Sequence, residues 1–202
     1  MNDKFFELKK EKQDRMINAA MKVFAMQGYK HASTDDIVKE AGISKGLLFH
    51  YFISKVGLYE FIYDYSVRYM MLELSTGVSK GETDYFEIIR QIWQSQLQVM
   101  HTYPYMLLFL NESKKEDVNE ALMVTEDKRG VLSHQLNQMM RRADFSRFKK
   151  DVDVDKLTGM IAYTLNGLMT EQFYSGEFQP ELFGEEMKNY LAMTNKMAYK
   201  ED

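Results

Sequence analysis

From Ser33 onward the sequence encodes two short helices that are separated only by a tight turn. Ser33 can cap a helix whose first turn is acidic and which ends at Ala41, where Gly42 breaks it. Ser44 can cap a second helix that begins at Lys45. A short helix, a turn containing glycine and a second short helix form the plan of a helix-turn-helix unit.

Helical spacing of apolar residues continues through the rest of the chain, with no segment of strand period and no internal repeat. Proline occurs only 2 times and glycine 11 times in 202 residues, which favours long helices. We therefore expect an all-α protein. Outside the two short helices, we expect helices over about Lys9–Gln27 (ended by a left-handed Gly28), from Ser54, from Tyr85 to before Pro104, over a buried Tyr105–Leu110, over Val118–Arg142, around Leu157–Leu168 and from Pro180.

Composition excludes several classes of protein. The chain has no cysteine, which excludes disulfide scaffolds, Cys-ligated metal centres and thiol catalysis. No apolar run approaches the roughly 18 residues of a membrane span, and the polar N-terminus does not resemble a signal peptide. We expect a cytoplasmic protein with no membrane partner.

Charge is divided unevenly along the chain. Residues 1–59 carry a net charge of +3, whereas residues 60–202 carry −7. A basic N-terminal module on an acidic body indicates nucleic-acid binding at one end. We expect a three-helix DNA-binding domain over 1–59 and a helical bundle for ligand binding and dimerisation over 60–202.

The second short helix has the features that a helix needs to enter the major groove. Gly46 keeps it thin where it approaches DNA, and Ser44 and Lys45 present donors and a cation to phosphates and base edges. Ile43, Leu48 and Phe52 are spaced as apolar anchors for the opposite face.

Residues 13–63 resemble the DNA-binding domain of the tetracycline-repressor (TetR) family. The resemblance lies in glycine, lysine and aromatic positions that coincide in register: Ala19-Ala20, Phe24 and Gly28-Tyr29, then Ala32-Ser33-Thr34-Asp35-Asp36-Ile37, then Ala41-Gly42-Ile43-Ser44-Lys45-Gly46-Leu47-Leu48-Phe49-His50-Tyr51-Phe52, and Ser54-Lys55. It implies a homodimer that binds double-stranded operator DNA and responds to a small-molecule effector. The contacts it implies are phosphate for Ser33, Thr34 and Lys55, the major groove for Lys45, Gly46 and Leu47, and bases and backbone for Phe49, His50 and Tyr51.

The sequence departs from the family pattern at four positions. Phe49 stands where a tyrosine is usual, so a hydroxyl donor to phosphate is missing. Leu47 replaces a commoner threonine, which favours contact with a thymine methyl group. Val56 and Gly57 follow Lys55 where two glutamates are common, which gives up a capping-box carboxylate and removes negative charge near DNA.

The family resemblance also places the dimer contact on the last two helices. A line of residues distinct from the Leu157–Leu168 stripe includes small side chains that would allow close approach of a partner helix. The alternative is that both lines belong to the core of one chain. The expected interface residues are Gly159, Tyr163, Gly167, Thr170, Tyr174, Met187, Tyr190 and Thr194.

Aromatic and methionine side chains in the body indicate an adaptable apolar cavity with isolated polar groups. We expect a largely apolar or aromatic effector there, although such stripes also form plain protein core. The expected lining is Trp93, Gln96, Met100, Tyr103, Met106, Phe109, Met123, Tyr163, Asn166 and Phe173.

No catalytic or metal-binding pattern competes with this interpretation. Asp151, Asp153 and Asp155 resemble the start of a calcium loop, but Lys156 and Ala162 stand where glycine and glutamate are required. We read these acids as a turn and a helix cap, and expect no enzyme activity, cofactor or metal. The alternatives are an enzyme, or an interaction protein that kept the helix-turn-helix shape but lost DNA binding.

Overall fold

The structure, a computed structural model, describes residues 3–200 of the chain. Over these residues the chain forms ten α-helices with three short 3₁₀ turns and no β-strand, which confirms the all-α prediction. The helices are α1 Lys10–His31, α2 Thr34–Ala41, α3 Lys45–Phe52, α4 Lys55–Gly77, α5 Tyr85–Thr102, α6 Met106–Glu112, α7 Asn119–Thr125, α8 Val131–Met140, α9 Val154–Ser175 and α10 Pro180–Ala198.

The chain divides into two compact units. The first contains the chain up to Leu72 together with Val99–Leu132, and the second contains Glu73–Gln98 and the chain from Ser133 onward. The first unit therefore combines α1 to α3 with α6 and α7. Residue 59, the expected domain boundary, lies inside α4.

The predicted signals for α2 and α3 act as expected. The Ser33 hydroxyl oxygen accepts a hydrogen bond from the Asp35 N–H at 3.1 Å, and Ser44 Oγ accepts one from the Leu47 N–H at 3.2 Å. Gly42 adopts the left-handed conformation with φ 62° and ψ 42°. Both side-chain caps satisfy N–H groups that a helix start leaves without a helical partner.

The first helix extends past its predicted end. Gly28 was expected to end it in a left-handed cap, but Gly28 has φ 69° and ψ 169°, and one further helical turn follows to His31. The Ala32 N–H donates to the Gly28 carbonyl and closes that turn. Gly28 therefore kinks α1, because an extended residue with positive φ redirects the helix without ending it.

Helix α6 forms part of the core of the first unit. Residues Met106 to Leu110 are all buried, as their uniformly apolar sequence predicts. The Phe109 ring lies 5.6 Å from the Tyr59 ring and 6.3 Å from the Phe24 ring, measured between centroids. Helix α6 thus packs against side chains of α1 and α4.

The single helix predicted over Val118–Arg142 is wrong. The segment contains α7 and α8, separated by a 3₁₀ turn at Glu126–Lys128 and by Gly130, which has φ 84°. The positive φ of Gly130 does not fit a right-handed helix, so the chain changes direction there.

In the second unit, the residues expected to cap or break helices lie at the ends of α9 and at the start of α10. Asp153 Oδ1 accepts from the Lys156 N–H at 3.1 Å, so the aspartate run acts as a helix cap. Gly176 ends α9 in the left-handed conformation, and Pro180 is the first residue of α10. The Tyr85 and Thr158 hydroxyls lie 2.7 Å apart and connect α5 with α9.

Candidate nucleic-acid interface

Helix α3 has one buried face and one solvent-exposed face. Leu48 and Phe52 are buried, whereas Lys45, Gly46 and His50 are exposed. Of the other predicted contacts on this helix, Leu47 and Phe49 are half-buried and Ser44 is exposed. The exposed face combines a cation, a thin glycine position and polar groups, which suits a helix that reads a groove.

Tyr51 does not lie on that exposed face. It retains only 7% of its side-chain exposure, and its ring centroid lies 5.7 Å from that of Phe5. It is spaced three residues from Leu48, so helical geometry directs it toward the core. The expected contact of Tyr51 with bases is therefore corrected: its ring is part of the core.

The ring that covers Tyr51 was missed by sequence reasoning. Phe5 is fully buried, 5.1 Å from the Phe52 ring and 5.2 Å from the Phe61 ring. The only sequence signal was a pair of phenylalanines, Phe5 and Phe6, within a polar N-terminal stretch. The N-terminal 3₁₀ turn thus completes the core beneath α3.

The predicted contacts at the start of α2 lie near α3. Ser33 and Thr34 are half-buried at the N-terminus of α2. Lys45 Nζ of α3 lies 2.8 Å from Asp35 Oδ1, and both side chains are more than half exposed. Because exposed ion pairs are weak, a DNA phosphate can compete with Asp35 for this ammonium group.

Lys55, the predicted phosphate contact of α4, lies over an aromatic ring. Its Nζ is 4.4 Å from the centroid of the Tyr29 ring. Burial lowers the pKa of the Lys55 ammonium, and the nearby carboxylates of Glu120 and Glu116 oppose that shift. The amine thus lies in a partly buried environment between an aromatic ring and negative charge.

The two glutamates also bond Tyr29 directly. The Tyr29 hydroxyl donates to Glu120 Oε2 at 2.5 Å, and the Tyr29 N–H donates to Glu116 Oε2 at 3.0 Å. Burial and these carboxylates raise the pKa of the Tyr29 phenol. The resemblance pointed to Tyr29, but no sequence signal pointed to Glu116 or Glu120. We call Tyr29, Lys55, Glu116 and Glu120 the acidic clasp.

The turn between α3 and α4 explains one departure from the family pattern. Ile53 has φ 67° and ψ −48°, and the Ser54 N–H donates to the Phe52 carbonyl at 2.7 Å. A Cβ on Gly57 would lie only 2.4 Å from that carbonyl oxygen. Gly57 is therefore required here, and its N–H is capped by Ser54 Oγ at 3.1 Å.

A family model described as "Bacterial regulatory proteins, tetR family" matches residues 16–62, which cover α2, α3 and most of α1. The chain is a member of the TetR family. It is a DNA-binding transcriptional regulator, and the prediction that it is not an enzyme is confirmed by that membership.

Relatives of this TetR-family chain agree with the assignment. An uncharacterized HTH-type transcriptional regulator of Bacillus subtilis, YuxN, is 33% identical over 92 residues, which are 46% of this chain and only 30% of YuxN. IcaR of Staphylococcus aureus, a negative transcriptional regulator of the biofilm operon icaADBC, is 20% identical over 88% of this chain and 96% of IcaR. The structure of KstR2 of Mycobacterium tuberculosis, a ketosteroid transcriptional regulator, has a TM-score of 0.63 at 18% identity over 100% of this chain and 97% of that one. This last likeness confirms the fold.

Five of the expected effector residues belong to the first unit of this TetR-family chain. Met100, Tyr103, Met106 and Phe109 are buried, but Met123 is 75% exposed. The expectation that Met123 faces an interior is therefore corrected, because its position on α7 points to solvent. Tyr103 has its own structural partners: its hydroxyl donates to Asp14 Oδ1 at 2.7 Å.

The other five expected effector residues belong to the second unit. Tyr163 is 82% exposed, which corrects the expectation that it lines an interior, and Asn166 is half-buried. Trp93, Gln96 and Phe173 are buried. The two apolar side chains among them belong to a group of neighbouring rings that runs from Trp93 through Phe183 and Phe178 to Phe173, with centroid distances of 5.9, 5.8 and 4.0 Å.

Gln96 is the buried polar member of this expected lining. Its side chain is 94% buried, and its Oε1 atom has no hydrogen-bond partner in the structure. A buried amide oxygen without a donor costs free energy of about 1–3 kcal/mol. It is a ready acceptor for a ligand donor.

The expected dimer residues divide between two environments. Gly167, Tyr163 and Tyr174 of α9 are exposed, and Gly159, Thr170 and Tyr190 are half-buried. Met187 is fully buried and Thr194 retains 4% exposure. These two are corrected: they pack inside their own chain, on the same face of α10 as Phe183 and Leu191.

Three of the arginines and lysines that follow α8 have structural roles in the second unit. Arg142 Nε donates to the Met139 carbonyl at the end of α8, and Lys149 Nζ donates to the Met197 carbonyl at the end of α10. Arg147 pairs with Asp84 at 2.8 Å. Arg142 and Lys149 thus place positive charge at the C-terminal ends of helices, where it is stabilising.

Two grooves occur within the units, and neither is lined by the expected effector residues. One, of about 500 Å³ in the first unit, has a mixed lining that includes Arg15, Lys22 and Glu40. The other, of about 440 Å³ in the second unit, includes Arg90 and Lys188. Within residues 3–200, no three acidic or histidine side chains cluster as metal ligands, and no helix is long and apolar enough to span a bilayer.

Proposed function

We propose that this TetR-family chain is a cytoplasmic repressor that binds a pseudo-palindromic operator as a homodimer and is released by a small, largely apolar effector. The observation that carries the DNA-binding part is the exposed face of α3, with Lys45, Gly46 and His50 in the register of the family. The negative regulation named for IcaR supports repression.

In this proposal, α3 lies in the major groove and the flanking residues hold the phosphate backbone. Leu47 contacts a base edge, where an apolar side chain favours a thymine methyl group. Ser33, Thr34 and Lys55 contact phosphate, and Ser44 and Phe49 lie beside the groove. Two copies of α3 read two half-sites of one operator, so the symmetry of the operator follows that of the dimer.

The DNA-binding test uses the full chain and a duplex selected by that chain from a random library. Lys55→Ala is expected to weaken binding to all sequences and to reduce the slope of log affinity against log salt by about one. Leu47→Ala is expected to relax preference at one or two base pairs. Unchanged affinity in both variants at moderate salt would exclude this role for α3.

For the dimer, we propose that the exposed line of α9 packs against the same line of a second copy. Gly159 and Gly167 lack a side chain and so allow close approach, and Tyr163, Thr170 and Tyr174 contribute contact area. Tyr190 of α10 lies at the edge of this surface in the proposal. Sedimentation should show a dimer for the wild type and a monomer for Gly167→Arg, while Gly81→Arg in the exposed α4–α5 turn stays a dimer.

For the effector, we propose a site in the second unit beside Trp93, Gln96 and Phe173. The apolar rings would surround an aromatic or aliphatic ligand, and Gln96 Oε1 would accept a hydrogen bond from a ligand donor. Trp93 is the only tryptophan in the sequence, so its emission reports occupancy. Titration with hydrophobic drugs, fatty acids and dyes should change that emission and release DNA.

Matched variants test the role of Gln96. Gln96→Leu is expected to lower the affinity for ligands that carry a donor, whereas Gln98→Leu, at an exposed position of the same helix, is expected to change nothing. A response confined to a sugar phosphate or a metal ion would contradict an apolar site and leave the DNA-binding proposal intact.

In this proposal, the acidic clasp transmits a conformational change from the body of the chain to the residues that contact DNA. Glu116 and Glu120 belong to the segment around α7, which lies in the same compact unit as Lys55. A shift of that segment would move Tyr29 and change the charge around the Lys55 amine. An effector drives such a shift only by binding the released form more tightly than the DNA-bound form.

A further inference from the structure

Ile53 has a backbone conformation that side chains of its kind rarely adopt. It is the only residue other than glycine with a positive φ in the described part of the chain. Its φ of 67° and ψ of −48°, with the Ser54 N–H donating to the Phe52 carbonyl, form a γ-turn of the rare, strained hand. The strain is greatest for a β-branched residue.

Packing within the chain does not compensate for this strain. The Ile53 side chain is 76% exposed, more than nearly all other large apolar side chains in the described residues. A glycine would adopt the same turn without steric cost, and a polar residue would interact better with water. The turn therefore holds an apolar group in solvent at the expense of stability.

The position of Ile53 in the chain indicates what that group meets. It follows α3 directly and lies two residues before Lys55, so predicted DNA contacts flank it on both sides. The geometry is also fixed, because the Phe52 carbonyl fits only against the bare Cα of Gly57. The charges nearest in sequence are cationic or neutral, so a phosphate backbone can approach this turn.

We propose that Ile53 is a DNA-contacting residue that packs against apolar groups of the operator, either a thymine C5-methyl group or deoxyribose carbons. This inference rests on the proposed DNA binding by α3. Backbone strain is expected at a residue whose side chain is needed for binding and not for folding. The contact adds apolar recognition beside the groove, in the same sense as Leu47 on α3.

The test compares stability and DNA binding in one variant. Ile53→Gly relieves the strain, and this gain exceeds the added flexibility of the unfolded chain, so the thermal midpoint should rise. Affinity for the library-selected duplex should fall roughly tenfold, because a partly buried aliphatic side chain is lost from the interface. A purely structural residue would instead lose stability and affinity together.

Leu182→Ala is the matched control, since Leu182 is also a large, exposed aliphatic residue and lies on α10. Its DNA affinity should equal that of the wild type. Replacing thymine by deoxyuridine in the selected duplex distinguishes the two DNA groups. If the methyl group is the partner, the wild type loses more affinity than Ile53→Gly, which can lose only the methyl contact proposed for Leu47. If deoxyribose is the partner, both proteins lose the same factor and Ile53→Gly stays weaker on both duplexes.

The outcomes separate this inference from the proposal on which it rests. If Lys55→Ala weakens binding but Ile53→Gly binds with unchanged affinity, the Ile53 contact is overturned and DNA binding by α3 stands. If the wild type shows no salt-dependent binding to any selected duplex, the proposed function itself fails.

Discussion

Helices α3 and α10 differ in how well their buried faces could be predicted from the sequence. In α3, the residues expected to face the core, Leu48 and Phe52, are buried. In α10, Met187 and Thr194 were expected to meet a second chain, but they are buried in their own. A two-turn helix has room for one apolar face, whereas a five-turn helix can carry apolar residues on two faces, and only packing decides which is internal.

The largest expected effect tests the core face of α3. Phe52→Ala should lower the free energy of unfolding by about 3–5 kcal/mol, because it leaves a cavity among the rings of Phe5 and Phe61. Denaturant unfolding followed by circular dichroism measures this change. The control is Phe6→Ala, whose ring is more than half exposed and whose loss should cost far less. Equal costs would mean that α3 does not pack as described.

The corresponding test on α10 uses Met187→Ala. Because Met187 is fully buried within the chain, its truncation should cost about 2–5 kcal/mol of unfolding free energy. Met193→Ala, at a half-exposed position of the same helix, should change stability by no more than about 0.5 kcal/mol. If Met187→Ala instead dissociates the dimer without affecting the stability of the monomer, Met187 belongs to the dimer interface as the sequence predicted.

The sequence-based predictions also differ in accuracy between features set by local sequence and features decided by packing. Caps and chain-breaking residues are local signals, so the starts of α2, α3 and α10 were predicted correctly from Ser33, Ser44 and Pro180. The aspartate run before α9 was likewise expected to cap a helix, and Asp153 does so. The kink at Gly28 was missed, because a glycine with positive φ can either end a helix or redirect it.

Contacts between residues distant in sequence left no local signal. The burial of Tyr51 depends on Phe5, more than forty residues earlier, and the acidic clasp joins Tyr29 to Glu116 and Glu120, about ninety residues later. No spacing within a helix indicates such pairs. The composition of the expected effector lining was likewise consistent with either a cavity or a core, and Phe109 lies in the core.

Two glycines of this region differ in role: the fold requires one of them, and we propose that DNA binding requires the other. Gly57→Ala should cost about 1–3 kcal/mol of unfolding free energy, because the added Cβ would displace the Phe52 backbone. Gly46→Ala should raise stability by up to about 1 kcal/mol, since nothing lies within 4 Å and alanine favours the helix. Gly46→Ala should nevertheless weaken DNA binding. A variant that is more stable and binds equally well would exclude close approach of α3 to DNA at Gly46.

The smallest expected effect concerns the ion pair between α2 and α3. Asp35→Asn removes the partner of Lys45, and because both side chains are exposed, stability should change by less than about 1 kcal/mol. DNA affinity should rise a few-fold at low salt, since the Lys45 ammonium no longer has to leave a carboxylate to reach phosphate, and the gain should disappear at high salt. Asp36→Asn makes the same change of charge in the same helical turn. If Asp36→Asn raises DNA affinity as much as Asp35→Asn does, the gain comes from long-range repulsion of phosphate, and the Lys45–Asp35 pair has no part in it.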